Sequence, residues 1–446
     1  MNLPTFLRAA ETPQTPPATT PTPRSTPRWG RAFSVFAVLA NLDTDNAIWL
    51  IYLAARGYSP FAIGLFEMLF HIAKALTEIP TGIFADLAGR RASLLAACLF
   101  GVAGAVLFLD PTPTLVALSF ACSGVSWAFK GGAQEAVVWT LASESVGQRA
   151  GGANSGVEAG AVASRYSRLY SRFLVLTLIA AALGAGASGF LLRWNTSLPF
   201  IIRAVGMALA IAPLLLMPAL RPERAAASAD ISERFHPLAH LRAGLSAAWR
   251  SPILLGLLLL SALEGTVFTT SNYYTQLYFH GLGFSAAVIG VIFGVGAVLD
   301  FLYTGAAPRI IGRVRRRWLI PGLVAGVALG LLLMSGAQPA VGLVGFLLIF
   351  RAGDALFVPA ISTAINARAP EAQRATVLSL ETGLFSAEMI ALFPLFGLGL
   401  SHVSYQQAYF GVGVGLLLGG ACIGALVWGL RRWRRRREHD TMAARL

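Results

Sequence analysis

The sequence predicts an all-α polytopic membrane protein, with twelve transmembrane helices in two pseudo-symmetric six-helix bundles. Composition is the first reason. Of 446 residues, 56% are hydrophobic and only 13% charged, with a mean hydropathy of +0.65. Soluble chains carry about 25% charged residues, so this supply cannot coat several water-facing domains, which argues against a soluble enzyme. The second reason is a series of apolar runs, each near the ~20 residues needed to cross a bilayer core. The third is internal repetition. Gly57-Tyr58-Ser59 and Ile63-Gly64 recur as Gly283-Phe284-Ser285 and Ile289-Gly290; Gly82, Gly89 and Arg90 recur as Gly305, Gly312 and Arg313; Gln148-Arg149-Ala150 recurs as Gln373-Arg374-Ala375. All three echoes fall about 225 residues apart and in the same order, as a duplicated six-helix unit requires.

Residues 1–30 contain Pro4, Pro13, Pro16, Pro17, Pro21, Pro23 and Pro27 among Thr and Ala, with no apolar signal segment. Such a stretch cannot bury a core and reads as a disordered cytoplasmic tail. The expected spans of the N-terminal bundle (31–220) are 32–55, 61–84, 92–110, 114–139, 172–192 and 198–219. A polar central loop, 221–251, follows, and its His236-Pro237-Leu238-Ala239-His240 lacks the Glu of a zinc-protease motif, so a surface amphipathic helix is the simpler reading. The C-terminal bundle (252–431) has expected spans 252–278, 286–308, 318–337, 340–363, 377–400 and 405–430. Residues 432–446 form a basic cytoplasmic tail.

The formal net charge of +14 is a matter of sidedness, not of nucleic acid. Lys74, Lys130, Arg203 and Arg351 fall inside expected spans and Arg56 and Arg193 border loops of one side; every other basic residue falls in the termini or in alternate loops. This positive-inside bias places both termini in the cytoplasm of a cell inner or plasma membrane. Arg431, Arg432 and Arg434–Arg437 directly follow the last span, where anionic headgroups attract them by about 1 kcal/mol each. Cys98, Cys122 and Cys422 lie on separate apolar runs and suggest neither disulfides nor a metal centre.

Gly82-Ile83-Phe84-Ala85-Asp86-Leu87-Ala88-Gly89-Arg90-Arg91, between spans 2 and 3, resembles the loop 2–3 signature of the major facilitator superfamily. Preceded by Glu78-Ile79-Pro80-Thr81, it is similar to a drug-exporter-like branch. The resemblance runs from about residue 30 to 432. It implies a central cavity framed by spans 1, 4, 7 and 10, and a cytoplasmic gate at Gly82, Asp86, Gly89, Arg90 and Arg91. Physically, Gly82 would let span 2 approach a neighbour closely, and Asp86 could meet Arg90 or a helix N-terminus. The second half places Arg309 where the first has Asp86.

An ionisable side chain in mid-bilayer costs about 2.5–3.5 kcal/mol on insertion scales, so each needs a task or a partner. Glu67, His71, Lys74 and Glu78 stand at i, i+4, i+7 and i+11 on one face of span 2, as an ion-pair ladder or as a lining. The candidate proton carriers are Asp43, Asp45 and Glu264, with Glu135 and Glu388 beside them; the alternative for each is a neutralised pair, for example with Lys130 or Arg351. Candidates for the substrate cavity are Asn46, Trp49, Lys74, Lys130, Gln134, Phe268, Ser271, Tyr274, Arg351 and Asp354. Acids outnumber bases in this set, which leans toward cationic or amphipathic substrates, and Trp49, Trp127, Phe129, Tyr273 and Tyr274 could supply π surface. The function so implied is secondary active transport by alternating access, with proton-coupled efflux of drug-like compounds first. Uptake of a polar metabolite, and a non-transporting receptor or scramblase on the same scaffold, are the alternatives. No phosphate-binding Gly-x-x-x-x-Gly-Lys loop is present, since Lys74 and Lys130 are the only lysines. Gly186-Ala187-Ser188-Gly189 lacks a histidine base nearby and reads as small-residue helix packing. The expected partners are a small solute, protons and the lipid bilayer, with no cofactor or metal, and the protein is expected to act as a monomer.

Overall fold

The computed structural model describes residues 29–146, 155–220, 246, 249–336, 338–370 and 373–443. The Pro-rich tail, the Gln148-Arg149-Ala150 echo and nearly all of the central loop, including its two histidines, lie outside the described residues. The described residues form helices and no strand. In chain order these are α1 (Trp29–Leu39), α2 (Trp49–Ala55), α3 (Pro60–Ala88), α4 (Arg90–Leu107), α5 (Pro113–Val146), α6 (Ser155–Trp194), α7 (Leu198–Leu209) and α8 (Ile211–Leu215). The second half has α9 (Pro252–Gly281), α10 (Ala286–Arg313), α11 (Arg316–Met334), α12 (Pro339–Val344), a π-helical stretch (Gly345–Phe350), α13 (Arg351–Asn366), α14 (Arg374–Gly399) and α15 (Tyr405–Ala443). Among the described residues, 10 helical runs are long and apolar enough to cross a membrane, with α7–α8 and α12–α13 each counting as one. The two other expected spans are α5, which carries Lys130 and Glu135, and the first span, broken into α1 and α2.

Several helices outrun the apolar windows from which they were expected. α6 begins at Ser155 rather than near 172, and α15 continues to Ala443, so the arginine cluster is helical. Hydropathy marks only the lipid-crossing part, and Arg, Glu and Ala are good helix formers beyond it.

The break in span 1 has a local cause. Asn41-Leu42-Asp43-Thr44-Asp45-Asn46 is rich in short polar side chains that compete with the helix for backbone hydrogen bonds. Asn41 Nδ2 donates to the Ala37 carbonyl at 2.7 Å, and Thr44 Oγ1 donates to the Pro199 carbonyl at 2.6 Å. α6 comes close enough that a Cβ at Gly184 would stand 2.9 Å from the Asp43 backbone. Non-helical backbone at membrane depth persists only where protein or a water-lined cavity satisfies it, and here the segment is held by bonds to protein and borders a cavity.

The duplicated turns are the same structure twice. Gly57 and Gly283 have φ of 89° and 88°, and Ser59 and Ser285 cap the next helix by accepting from Ala62 N (3.2 Å) and Val288 N (3.4 Å). Only glycine takes that φ without a Cβ clash, so Gly57→Ala and Gly283→Ala are each expected to cost about 1 kcal/mol. The thermal midpoint of purified protein in detergent checks this, with near-additive losses in the double variant. The second echo diverges: Gly89 (φ 95°) breaks the chain between α3 and α4, whereas Gly312 stays inside α10.

The two halves meet along α3 against α14 and α6 against α10. Their contacts concentrate at the end remote from the termini. There a Cβ on Gly64 would stand 2.6 Å from Pro394 Cα, one on Gly290 2.9 Å from the Ala185 carbonyl oxygen, and one on Gly189 would overlap the backbone of Ala286. The Gly186-Ala187-Ser188-Gly189 run is thus a helix-packing surface. One continuous buried cluster joins the halves, from Ile48, Leu50 and Phe66 of the first to Tyr274, Phe279 and Phe393 of the second. Between helices in lipid, such closure rests on van der Waals packing and hydrogen bonds rather than on exclusion of water.

Candidate functional site

A cavity of about 280 Å³ lies between the halves, and its lining includes Asp43, Asp45, Asn46 and Trp49 from span 1 and Glu67, Phe70, His71 and Lys74 from α3. α5 adds Ser119, Phe120, Ser123 and Trp127, α7 adds Arg203, and the second half contributes Thr269, Tyr273 and Phe385. The break in span 1 turns its two carboxylates toward this space.

Those carboxylates are not free. Arg203 Nη1 donates to both, to Asp45 Oδ1 at 3.0 Å and to Asp43 Oδ1 in a shorter bond. The partner is therefore Arg203 and not Lys130 or Arg351. Lys130 instead supports the break from behind, donating from Nζ to Asn41 Oδ1 at 2.6 Å. A second pair lines the opposite wall, where His71 Nε2 lies 3.6 Å from Glu67 Oε1. The remaining nitrogen of that ring, Nδ1, is buried and unbonded among the described residues. The face of span 2 expected to be a ladder or a lining is a lining over Glu67, His71 and Lys74, while Glu78 is exposed. Aromatic rings complete the walls: Trp49 packs edge-on against Phe120 and Tyr273 at centroid distances of 5.3 and 5.5 Å.

Several expected cavity residues stand elsewhere. Tyr274 points away from the cavity and donates its hydroxyl to the Pro60 carbonyl across the halves at 2.7 Å; its neighbour Tyr273 faces the space instead. Phe268 stacks on Phe350 at 4.7 Å, and Ser271 is wholly buried inside the second half. Gln134 is half-buried off the cavity, and Glu135 sits on the outer face accepting from the Tyr170 hydroxyl at 3.5 Å. Arg351 is held inside the second bundle, donating from Nε to Asp300 Oδ1 at 3.0 Å and from Nη1 to Asn272 Oδ1 at 2.9 Å. Asp354 is its electrostatic neighbour. Glu264 is completely buried near Asp354, with neither carboxylate oxygen hydrogen-bonded among the described residues. Glu388 lies half-buried beside Thr266. Glu264, Asp354, Asp300 and Arg351 are thus electrostatic neighbours in a second polar centre, and none of them lines the cavity. Acids therefore no longer dominate the lining, where Asp43, Asp45 and Glu67 face Arg203, Lys74 and His71.

At the other end, Arg90 Nη2 pairs with Asp86 Oδ1 at 2.8 Å. Arg91 Nη1 donates to the Met217 carbonyl at 2.7 Å, and Arg90 N to the Leu220 carbonyl at 3.2 Å. The two arginines thus tie the α3–α4 turn to the end of span 6. Gly82 does not mediate a close approach here, since a Cβ would find open space.

Arg203 is the residue that composition and spacing left out. An arginine in mid-span demands a counter-charge, but hydropathy and helical periodicity do not tell which helices touch.

Residues 32–387 match a family model described as Major Facilitator Superfamily. The chain is 22% identical over 399 residues to YxaM of Bacillus subtilis (strain 168), an uncharacterized MFS-type transporter, covering 87% of this chain and 92% of that one. Its fold is similar to that of the nucleoside transporter NupG, with TM-score 0.74 and 12% identity over 90% of this chain and 100% of the other. A D-xylose-proton symporter aligns with TM-score 0.66 and 15% identity over 88% and 96%.

Proposed function

The chain belongs to the major facilitator superfamily, and on that premise we propose that it is a proton-driven exporter of small amphipathic organic compounds. It is a multi-pass membrane transporter of a small solute and not an enzyme. The observation that carries the finer reading is the cavity between the halves, sealed at the end remote from the termini and walled by aromatic rings around the ion pairs of Arg203 with Asp43 and Asp45. With the termini in the cytoplasm, as the positive-inside bias expects, the seal faces outward and the cavity receives solute from the cytoplasm. A volume of about 280 Å³ lies just below the usual range of ligand pockets, about 300 Å³ and upward.

Coupling follows from competition. A solute with a cationic or hydrogen-bonding group can displace Arg203 from Asp43 or Asp45, and a proton on either carboxylate removes the same attraction. The first event favours loading and the second favours release, so the two ligands exclude each other at one pair. Glu264 supplies a second protonatable group, held apart from the solute.

The test is proton-coupled flux in proteoliposomes, with a lipophilic cationic dye as probe and an imposed pH gradient. Asp43→Asn with Glu264→Gln is expected to abolish gradient-driven dye movement while leaving a folded, monodisperse protein. Undiminished movement in the double variant refutes the assignment. Dye-independent uptake of a polar solute with the proton supports the opposite direction instead.

A further inference from the structure

The C-terminal edge of the break in span 1 is bridged by a side chain from the other half. Leu50 N donates to Gln276 Oε1 at 3.2 Å, and Gln276 Nε2 donates to the Asn46 carbonyl at 2.7 Å. In an uninterrupted α-helix, Leu50 N–H would bond the Asn46 carbonyl directly, because the two stand at i and i−4. The amide of Gln276 thus sits inside one rung of the helical ladder, satisfying both groups that it holds apart. Gln276 is completely buried, on α9, at the sealed end where Tyr274 also reaches Pro60. Immediately before this rung lie Asp43 and Asp45, bound to Arg203.

We propose that Gln276 is a positioning residue, a removable wedge that keeps the Asp45–Trp49 turn apart from α2 only while the outer end is closed. Opening that end draws α9 away from span 1 and withdraws the amide. Leu50 N–H and the Asn46 carbonyl are then buried without partners, a condition that folded proteins avoid. The nearest remedy is for each to take the other, which joins the turn already closed by Trp49 N on the Asp45 carbonyl at 3.1 Å to α2. Joining the two swings the segment carrying Asp43 and Asp45 relative to Arg203. Gate position and acid pairing are in this way one coordinate, linked through a single amide. The inference rests on alternating access but on no particular substrate, direction or ion.

The test is the distance between spin labels at Ala55 and Ser401, both exposed at the sealed end, in a variant with Cys98, Cys122 and Cys422 replaced. No solute is added, so the result is independent of whether export is the right reading. Gln276→Leu keeps volume but makes neither bond, and is expected to lower the ratio of short to long distances about tenfold. Gln276→Glu is the sharper arm. A protonated glutamic acid donates to Asn46 and accepts from Leu50 as the amide does, whereas its carboxylate meets the Asn46 carbonyl with like polarity. That variant is expected to follow the wild type near about pH 5 and the leucine variant near about pH 9, the range open to a buried glutamate. Asp43, Asp45 and Arg203 on the adjoining elements, and Glu67 and His71 on α3, can respond to pH themselves, so each variant is read against the wild type at the same pH. Identical distances in all three proteins overturn the proposal. A glutamate variant that ignores pH while still folding overturns it equally, even if the leucine variant does not fold.

Discussion

Arg203→Met is expected to destabilise the protein by about 3–5 kcal/mol, the cost of breaking a buried ion pair from one side. The guanidinium is shared by two carboxylates, and its side chain is 20% exposed against 25% and 22% for Asp43 and Asp45. Removing it leaves two like charges in a cavity with no other basic side chain bonded to either among the described residues. Arg203→Lys is expected to recover only part of the loss, since an ammonium lacks the planar fork. The triple change Arg203→Met, Asp43→Asn, Asp45→Asn is expected to restore stability while transport stays lost. Thermal unfolding in detergent, alongside flux in proteoliposomes, measures both. A single variant as stable as the wild type would show that the triad contributes nothing net to the fold.

Gly189→Leu is expected to prevent closure of the outer end. The obstacle at this position is main chain, the Ala286 carbonyl group, which cannot rotate aside as a side chain can. Overpacking of this kind costs about 1–3 kcal/mol, and here the cost falls on one conformation alone, shifting the closed-to-open ratio by about tenfold to a hundredfold. Transport should fall with it, because a carrier that cannot seal one side cannot alternate. Gly305→Ala is the internal control, because a Cβ there meets open space and closure should be unaffected. Labels at Ala55 and Ser401 report the outcome. A Gly189→Leu protein that still closes would place the seal elsewhere than on the α6–α10 contact.

Membrane class, the number and order of spans, the duplication and the family resemblance were all legible in the chain. Each rests on short-range information: hydropathy over a window of about 20 residues, and glycine or serine at positions where a turn demands them. Gly57 and Gly283 are the clearest case, since the backbone angle that selects glycine is local to the turn. Polar residues in mid-span also announced themselves through their desolvation cost. That is why Asp43, Asp45, Asn46 and Lys74 stood out as needing a partner or a polar lining, and in the structure they line one cavity.

What each buried charge faces was decided only by the packing of helices far apart in sequence. Asp43 meets Arg203 across 160 positions, Asn46 meets Gln276 across 230, and helical periodicity fixes a face without naming the neighbour on it. The same limit misplaced Phe268 and Ser271, which share a helix with cavity residues but point into the second bundle, Tyr274, which turns to Pro60 at the sealed end, and Arg351, held by Asp300 and Asn272. Alone, the sequence determined where the chain crosses lipid and that polar groups had to be gathered there. The tertiary structure decided which of them pair, which stay sealed and which end is shut, because in a medium without water a polar group's behaviour is set by the few atoms that touch it.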